Sequence, residues 1–439
     1  MAGIILAQIL LTLLLMMAIR KFAADQASAI SRQSSELREE LAEALRRVDA
    51  GLDTVRTLES TQTRFREEVD QRLNELAIQF RNQAMDLREL VGSHSDRLPA
   101  RDSRSAVVAA VVSNSIDWDV LRQKTEPEMV ALAEAVATVR PLVPYPNWHF
   151  DADWSNPDLA FQLRRSIWQY FRDRGSTAPV EIAWHHGTQL ALHLGNDLSR
   201  QIYIGGCIDP NEFAFLDRFL RPGMTFLDIG ANEGIYSVFA AKRVGSEGTV
   251  WAFEPSRREL ARLQTNVDLN GLPVRIFPVA LADRKGSAEL NVAGDEHAGQ
   301  NTLGAFIYDI EPAGKETVDM ARLDDLMAQN RLARLDVIKA DVEGAETPLF
   351  RGAIETLHRY RPILILEVLD PALRTQGSSA QELLDFLRSH EYRFFGFDIC
   401  SGLPSPIADS MADGNIVAVP NEKTLPEAVL MPWPAGTGV

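Results

Sequence analysis

The sequence predicts an α/β protein with a doubly wound, mostly parallel sheet of Rossmann-like type. Three observations carry that expectation. Beyond residue 212, short apolar runs that read as buried strands alternate with helical stretches, the rhythm of strand–helix–strand units. Pro and Gly punctuate the runs, as in Arg221-Pro222-Gly223. One run, "TFLDIG", passes straight into a glycine-bearing turn and then a helix.

In chain order, a helix at 212–219 is followed by strand 225–229, helix 235–244, strand 249–254, helix 257–270 and strand 274–279. A polar excursion carries strands at 287–292 and 317–319. Then come helix 323–329, strand 335–341, helix 347–360 and strand 362–367. Helix 380–389, strand 392–397 and strand 415–419 close the series. Ahead of this region the pattern predicts helices at 128–139 and 159–174 and short strands at 180–183, 189–193 and 201–204. His185, His186 and His193 lack metal-ligand company and read as structural or solvent-exposed.

At 439 residues the chain is long enough for two or three regions, and 46% apolar with 24% charged residues is a globular balance. A net charge of −16 argues against nucleic acid as a partner, because such proteins neutralise phosphates with excess Lys and Arg. Two cysteines, Cys207 and Cys400, form neither a disulfide framework nor a zinc-knuckle spacing.

Residues 1–22 read as a transmembrane anchor. No charge occurs between Ile4 and Ile19, and as a helix that run rises roughly 24 Å, near the thickness of a hydrocarbon core. Arg20 and Lys21 follow the run and no basic residue precedes it. A retained single span in the inner membrane is expected, with the remaining chain on the cytoplasmic side. Residues 23–98 read as a parallel coiled coil. Positions d at Leu41, Val48, Val55, Gln62, Val69, Leu76, Gln83 and Leu90 alternate with positions a at Leu45, Leu52, Glu59, Arg66, Leu73, Phe80 and Leu87. Eleven of these fifteen are apolar, a seam that needs partner helices to cover it, so self-association is expected. Residues 99–200 then read as a linker and an N-terminal extension, 201–420 as the α/β domain and 421–439 as a tail. The stretch 140–158, with four prolines among Tyr145, Trp148, Phe150 and Trp154, reads as an irregular segment on a domain surface.

The stretch "FLDIGANEGIYSVFAA" (226–241) places Asp228, Gly230, Asn232 and Gly234 where burial does not call for them. Gly230 permits a sharp turn and Gly234 a close approach of a ligand. Glu254 ends the next strand in "VWAFEPS", where an acid can accept both hydroxyls of a ribose. Together these indicate a nucleoside-containing ligand. The D-x-G-x-x-x-G spacing departs from the dinucleotide fingerprint, and Glu233 is a poor neighbour for a pyrophosphate. The spacing therefore favours S-adenosylmethionine, with NAD as the alternative.

The segments "FLDIGANEGIYSVFAA", "FEPSRRELARLQTNVDLN", "VALADRKGSAEL" and "DVIKADVEGAETPLFRGAIETLHRYRPILILEV" resemble successive motifs of the FkbM-type S-adenosylmethionine-dependent methyltransferases. The resemblance covers about 202–420. It implies methyl transfer from S-adenosylmethionine to an acceptor oxygen, commonly a sugar hydroxyl. It further implies that Asp228, Gly230 and Gly234 line the methionine end, that Glu254 holds the ribose, that Asp283 lies near the adenine, and that Asp341 faces the reacting centre.

A hydroxyl acceptor must lose a proton, and the candidates for a general base are Asp341, Glu343, Glu346, Glu367 and His297. Asp341 leads, as a strand-end carboxylate. Glu343 and Glu346 have a second reading as acids at a helix start. Lys339 either tunes Asp341 or pairs with it. A divalent metal on Asp341, Glu343 and Glu367 is conceivable, but no defined ligand spacing supports one, and none is expected. Two rival classes are an anchored scaffold with a non-catalytic nucleoside-binding domain and an NAD-dependent oxidoreductase. The acceptor itself is not legible, although an anchor would hold the enzyme near envelope or lipid-linked glycans.

Overall fold

The structure, a computed structural model, describes residues 121–137, 159–398, 401–407 and 414–431. The expected anchor, the coiled coil and the proline-rich stretch up to residue 158 lie outside them. Among the described residues no helix is long and apolar enough to cross a membrane.

Helices α1 (Glu126–Ala137) and α2 (Leu159–Arg174) and the hairpin of β1 (Pro179–Trp184) with β2 (Thr188–His193) come first. Helix α3 (Pro210–Phe219) then leads into β3 (Thr225–Ile229), α4 (Ile235–Val244), β4 (Thr249–Phe253), α5 (Arg257–Asn270) and β5 (Val274–Phe277). An excursion pairs β6 (Ala280–Leu281), β7 (Gly286–Ala293) and β8 (Pro312–Ala321) in a small separate sheet. The chain returns through α6 (Leu323–Asn330), β9 (Val337–Ala340), α7 (Glu346–Arg351), α8 (Ile354–Tyr360), β10 (Ile363–Val368), α9 (Asp370–Thr375) and α10 (Ala380–Ser389). It ends with β11 (Tyr392–Phe397), β12 (Pro404–Pro406), β13 (Gly414–Pro420) and α11 (Glu427–Leu430).

The main sheet has the order β12-β11-β13-β10-β9-β3-β4-β5. Strands β10, β9, β3, β4 and β5 run parallel, and β13, β11 and β12 add antiparallel pairs at one edge. The order reverses between β3 and β9, which opens a crevice at their carboxyl ends. Both faces are covered, which is why the strands are mostly apolar, with Asp228, Lys339 and Glu367 as exceptions toward the carboxyl ends. Phe226, Val250, Val337 and Ile365 pack with Phe213 of α3 and Phe239 of α4. Leu227, Trp251, Ile338 and Leu364 face the other way, onto Leu323, Phe350, Leu357 and Leu383.

The described part of the N-terminal extension shares the first core. Trp184 of β1 packs edge-on to Phe213 and Phe239, with centroids 5.4 and 6.1 Å away. The free edge of β2 is closed by two amides of α5: Ala191 N donates to Asn266 Oδ1 and Gln189 N to Asn270 Oδ1, each at 2.8 Å.

Two expectations are corrected. Residues 201–204 form no strand but belong to a π-helical turn, Arg200–Ile204. A capping box between Asn196 and Ser199 starts a helix here, and Ile202, Tyr203 and Ile204 are buried consecutively, without the alternation of a half-buried strand. The helix expected at 347–360 is two helices, α7 and α8, broken at Gly352-Ala353. Gly352 backs onto the chain before Asp283: a Cβ there would lie 2.0 Å from the Ala282 carbonyl oxygen. The Asp324 carboxylate then accepts the Glu355 and Thr356 N–H groups, at 3.2 and 2.8 Å, and starts α8 afresh.

Gly352→Ala should therefore cost about 3 kcal/mol through overpacking against backbone. Gly271→Ala, at a left-handed helix end with nothing within 4 Å of the added carbon, should cost about 1 kcal/mol. Urea unfolding of the two variants checks the ranking, and equal losses would contradict the contact.

Candidate active site

A cavity of about 270 Å³ lies over the carboxyl ends of β3, β4, β9 and β10, at the reversal of strand order. Gly230, Ala231, Asn232, Glu254, His297, Lys339, Asp341, Glu343 and Glu367 are among its lining residues. Six of the nine site residues expected from the sequence thus meet at one cavity: Gly230, Asn232, Glu254, His297, Asp341 and Glu343. The other three, Asp228, Gly234 and Asp283, are not among the lining residues.

The turn after β3 is shaped by backbone contacts. Gly230 has φ of 75°, and a Cβ on it would lie 1.8 Å from the Asp341 carbonyl oxygen, so any side chain would force β3 and β9 apart. Gly230 N and Ala231 N both donate to the Phe253 carbonyl at 3.0 Å. Gly234 serves helix packing, since its missing Cβ would lie 2.4 Å from Leu263 Cδ1 of α5. Asp228 is fully buried, and its Oδ2 accepts the Ser237 hydroxyl at 2.6 Å. It braces the turn against α4. Glu233 turns away to a buried ion pair with Arg262, at 2.7 Å.

Glu254 links the two adjacent turns. Its Oε2 accepts Asn232 N at 2.9 Å and its Oε1 accepts Ser256 N at 2.8 Å. Burial pushes its carboxyl up to about 8 in spite of those donors. Asn232 holds a left-handed conformation (φ 49°), and its Oδ1 is buried without a hydrogen-bond partner. An orphaned acceptor beside a cavity-lining carboxyl fits a ligand bearing N–H and O–H donors, such as the ammonium and ribose hydroxyls of S-adenosylmethionine. Val279, Ala280, Leu281 and Leu290 supply an apolar wall suited to its adenine. Asp283 lies just beyond that wall, its carboxylate 3.2 Å from Arg284 Nη1.

The opposite wall is acidic. Lys339 Nζ lies 3.2 Å from Asp341 Oδ2 and 3.4 Å from the Gly230 carbonyl oxygen. One oxygen from each of Asp341, Glu343 and Glu367 falls within 4.8 Å of the others, close enough to share a divalent cation or a cluster of hydroxyls. The charge of Asp341, then burial, pushes Glu367 up to about 9. Burial and the same neighbour hold Glu343 well above its ordinary range. Glu343 Oε1 accepts Gln300 Nε2 at 3.0 Å, whereas Glu346 accepts Val342 N at 3.1 Å near the start of α7. The two acids that the sequence could not tell apart thus divide, one on the cavity and one on the helix start. His297 Nδ1 lies 2.7 Å from Asp197 Oδ2 and joins the loop after β7 to the turn before α3.

Sequence reasoning passed over Asp209 and Tyr236, which also line the cavity. The Tyr236 hydroxyl donates to Asp209 Oδ2 at 2.8 Å. Tyr236 was visible as a hydroxyl on the first turn after the glycine turn, and Asp209 as an acid at the Asp-Pro start of a helix.

Burial pushes Glu254 and Glu212 each up to about 8, and Glu367 stands at about 9. Between pH 7 and 9 these groups keep protons in the fold that the unfolded chain, with ordinary carboxyls, has already released. Stability must therefore fall as pH rises through that window. The ligand-free protein should melt several degrees lower at pH 9 than at pH 7, and a higher melting temperature at pH 9 would contradict the burial of these acids.

Residues 228–394 match the family model described as the methyltransferase FkbM domain. The chain is 29% identical over 184 residues to the 2-O-methyltransferase NoeI of Sinorhizobium fredii, covering 39% of this chain and 74% of that protein. It is 27% identical over 159 residues to the 31-O-demethyl-FK506 methyltransferase FkbM of Streptomyces tacrolimicus, covering 30% of this chain and 60% of that one. It is 22% identical over 138 residues to the hexuronic acid methyltransferase AglP of Haloferax volcanii, covering 31% of this chain and 53% of that one. The matched region, residues 228–394, carries the glycine turn, Glu254 and the acidic wall, and over that region the chain is similar to S-adenosylmethionine-dependent methyltransferases of the FkbM type.

Proposed function

We propose that the domain methylates a hydroxyl oxygen on a sugar or another hydroxyl-bearing acceptor, foremost an envelope or lipid-linked glycan. One observation carries the reading: a single cavity runs from Glu254 to the wall of Asp341, Glu343 and Glu367, with Gln201, Gln300, Asn301 and Asn415 also on its lining. Carboxyl and amide groups of this kind exchange hydrogen bonds with hydroxyls. The names of NoeI and of FkbM from Streptomyces tacrolimicus specify O-methylation, and that of AglP a sugar acid, which supports the same acceptor class.

S-adenosylmethionine, when bound, supplies an already activated methyl group. The protein's tasks are to hold the two reactants in line and to accept a proton. Glu254, Asn232 and the Gly230 turn hold the cofactor, and the acidic wall receives the acceptor. We further propose that residues 1–22 hold the enzyme on the cytoplasmic side of the inner membrane and that residues 23–98 assemble it through a parallel coiled coil. The uncharged run ahead of Arg20 and Lys21 and the heptad seam support this arrangement.

Incubation with methyl-labelled S-adenosylmethionine, followed by fractionation of membrane glycans and lipids, should place alkali-stable ether label in a glycan fraction. Glu254→Ala should weaken cofactor binding about 10–100-fold by calorimetry and abolish the label. Alkali-labile ester label would contradict methylation of a hydroxyl. A reporter fused after Lys21 should score as cytoplasmic, and a periplasmic signal would overturn the topology.

A further inference from the structure

We propose that Asp209, hydrogen-bonded by Tyr236, is the base that takes the proton of the acceptor hydroxyl, an inference that rests on the hydroxyl-methylation reading above. Asp209 occupies the N-cap position of α3 with left-handed backbone (φ 44°), yet its side chain makes no capping bond to that helix. An aspartate at an N-cap ordinarily accepts a helix N–H. Here Oδ2 accepts the Tyr236 hydroxyl instead, and both residues line the cavity. Tyr236 is held on two sides. Its ring stacks on Phe213 with centroids 4.3 Å apart, and Lys339 Nζ lies 4.8 Å from its centroid.

The competing acids are committed elsewhere. Asp341 shares Oδ2 with Lys339, Glu343 accepts Gln300, and Glu346 accepts Val342 N. Glu367, at about 9, is protonated at neutral pH and has no room for a further proton. Burial pushes Asp209 up to about 6, so at pH 7 it is ionised and a stronger base than a solvated carboxylate. The charged and titratable groups that face it are Tyr236 on α4, Glu212 on α3, Lys339 and Asp341 at the end of β9, and Glu367 on β10. Of these, the Tyr236 hydrogen bond and Lys339 hold Asp209 down, whereas Asp341 raises it.

In the step, the acceptor oxygen bonds to the methyl carbon while the carbon–sulfur bond breaks and its electron pair stays on sulfur. The hydroxyl proton passes to Asp209 and then to solvent. The products are a methyl ether, S-adenosylhomocysteine and one proton, with no oxidant or further reactant.

The test compares the full-length wild type with Asp209→Asn, Tyr236→Phe and Asp341→Asn, using labelled S-adenosylmethionine and the membrane glycan fraction. Asp209→Asn should bind S-adenosylmethionine within threefold of wild type by calorimetry, yet lose about 10²–10⁴-fold in kcat. The acidic limb of its pH–rate profile should vanish. Tyr236→Phe keeps the stacked ring and should move that limb to higher pH, because the lost hydrogen bond no longer holds Asp209 down. Carboxyl-carbon NMR of aspartate-labelled protein gives a readout independent of turnover: a resonance titrating near pH 6 should disappear in Asp209→Asn and titrate higher in Tyr236→Phe. Retention of kcat within threefold in Asp209→Asn, with the limb lost in Asp341→Asn instead, would overturn the assignment. Label on nitrogen in the wild type would sink the hydroxyl reading itself, and the assignment with it.

Discussion

A buried lysine among carboxylates is the constraint on which the working edge of the sheet depends. Lys339 is the one lysine or arginine among the residues lining the cavity, and the negative charges of Asp341, Asp228 and Asp209 around it raise its proton affinity against the cost of burial. Without that cation three carboxylates would confront one another in a medium of low dielectric, and leaving a buried charge uncompensated costs about 3–5 kcal/mol. Strand register enforces the arrangement. Lys339 on β9 stands directly opposite Asp228 on β3. A slip of one residue would turn the ammonium onto the apolar face occupied by Leu227 and Ile338.

The same strand pair braces the turns that line the cavity. Gly230 and the Asp341 carbonyl are in contact across the β3–β9 junction, and Glu254 ties the turn after β3 to the turn after β4. Three strand tips are thereby joined by one backbone contact and by one buried carboxylate. Interactions of that kind keep donors and acceptors in place before a ligand arrives, and little ordering cost then falls on binding.

Much of this was legible in the sequence, for a physical reason. Strands covered on both faces must be apolar along most of their length, so β3, β4 and β10 stand out as runs, and α2, α4, α5 and α10 begin and end at the expected residues. The glycine turn and Glu254 were legible because few other residues suit those places. The misses share one cause, dependence on distant partners. The break at Gly352 is set by the Ala282 carbonyl, 70 residues earlier in the chain, and nothing local announces it. Asp209 and Tyr236 become a pair only once α3 and α4 pack together, 27 residues apart. Glu343 and Glu346 look alike in sequence, and folding alone sends one to the cavity and the other to a backbone N–H.

The amides of Asn266 and Asn270, laid along the edge of β2, have a consequence for what counts as the smallest independent piece of this enzyme. They stitch a hairpin from before residue 200 to a helix inside the homologous segment, and Trp184 packs edge-on against both Phe213 and Phe239. Trimming the protein to residues 228–394 would strip the aromatic packing from one side of the sheet and, by removing β13, bare the edge of β10. The segment that matches the family model is thus smaller than the folding unit, and anyone transplanting this catalytic domain should carry the preceding hairpin along.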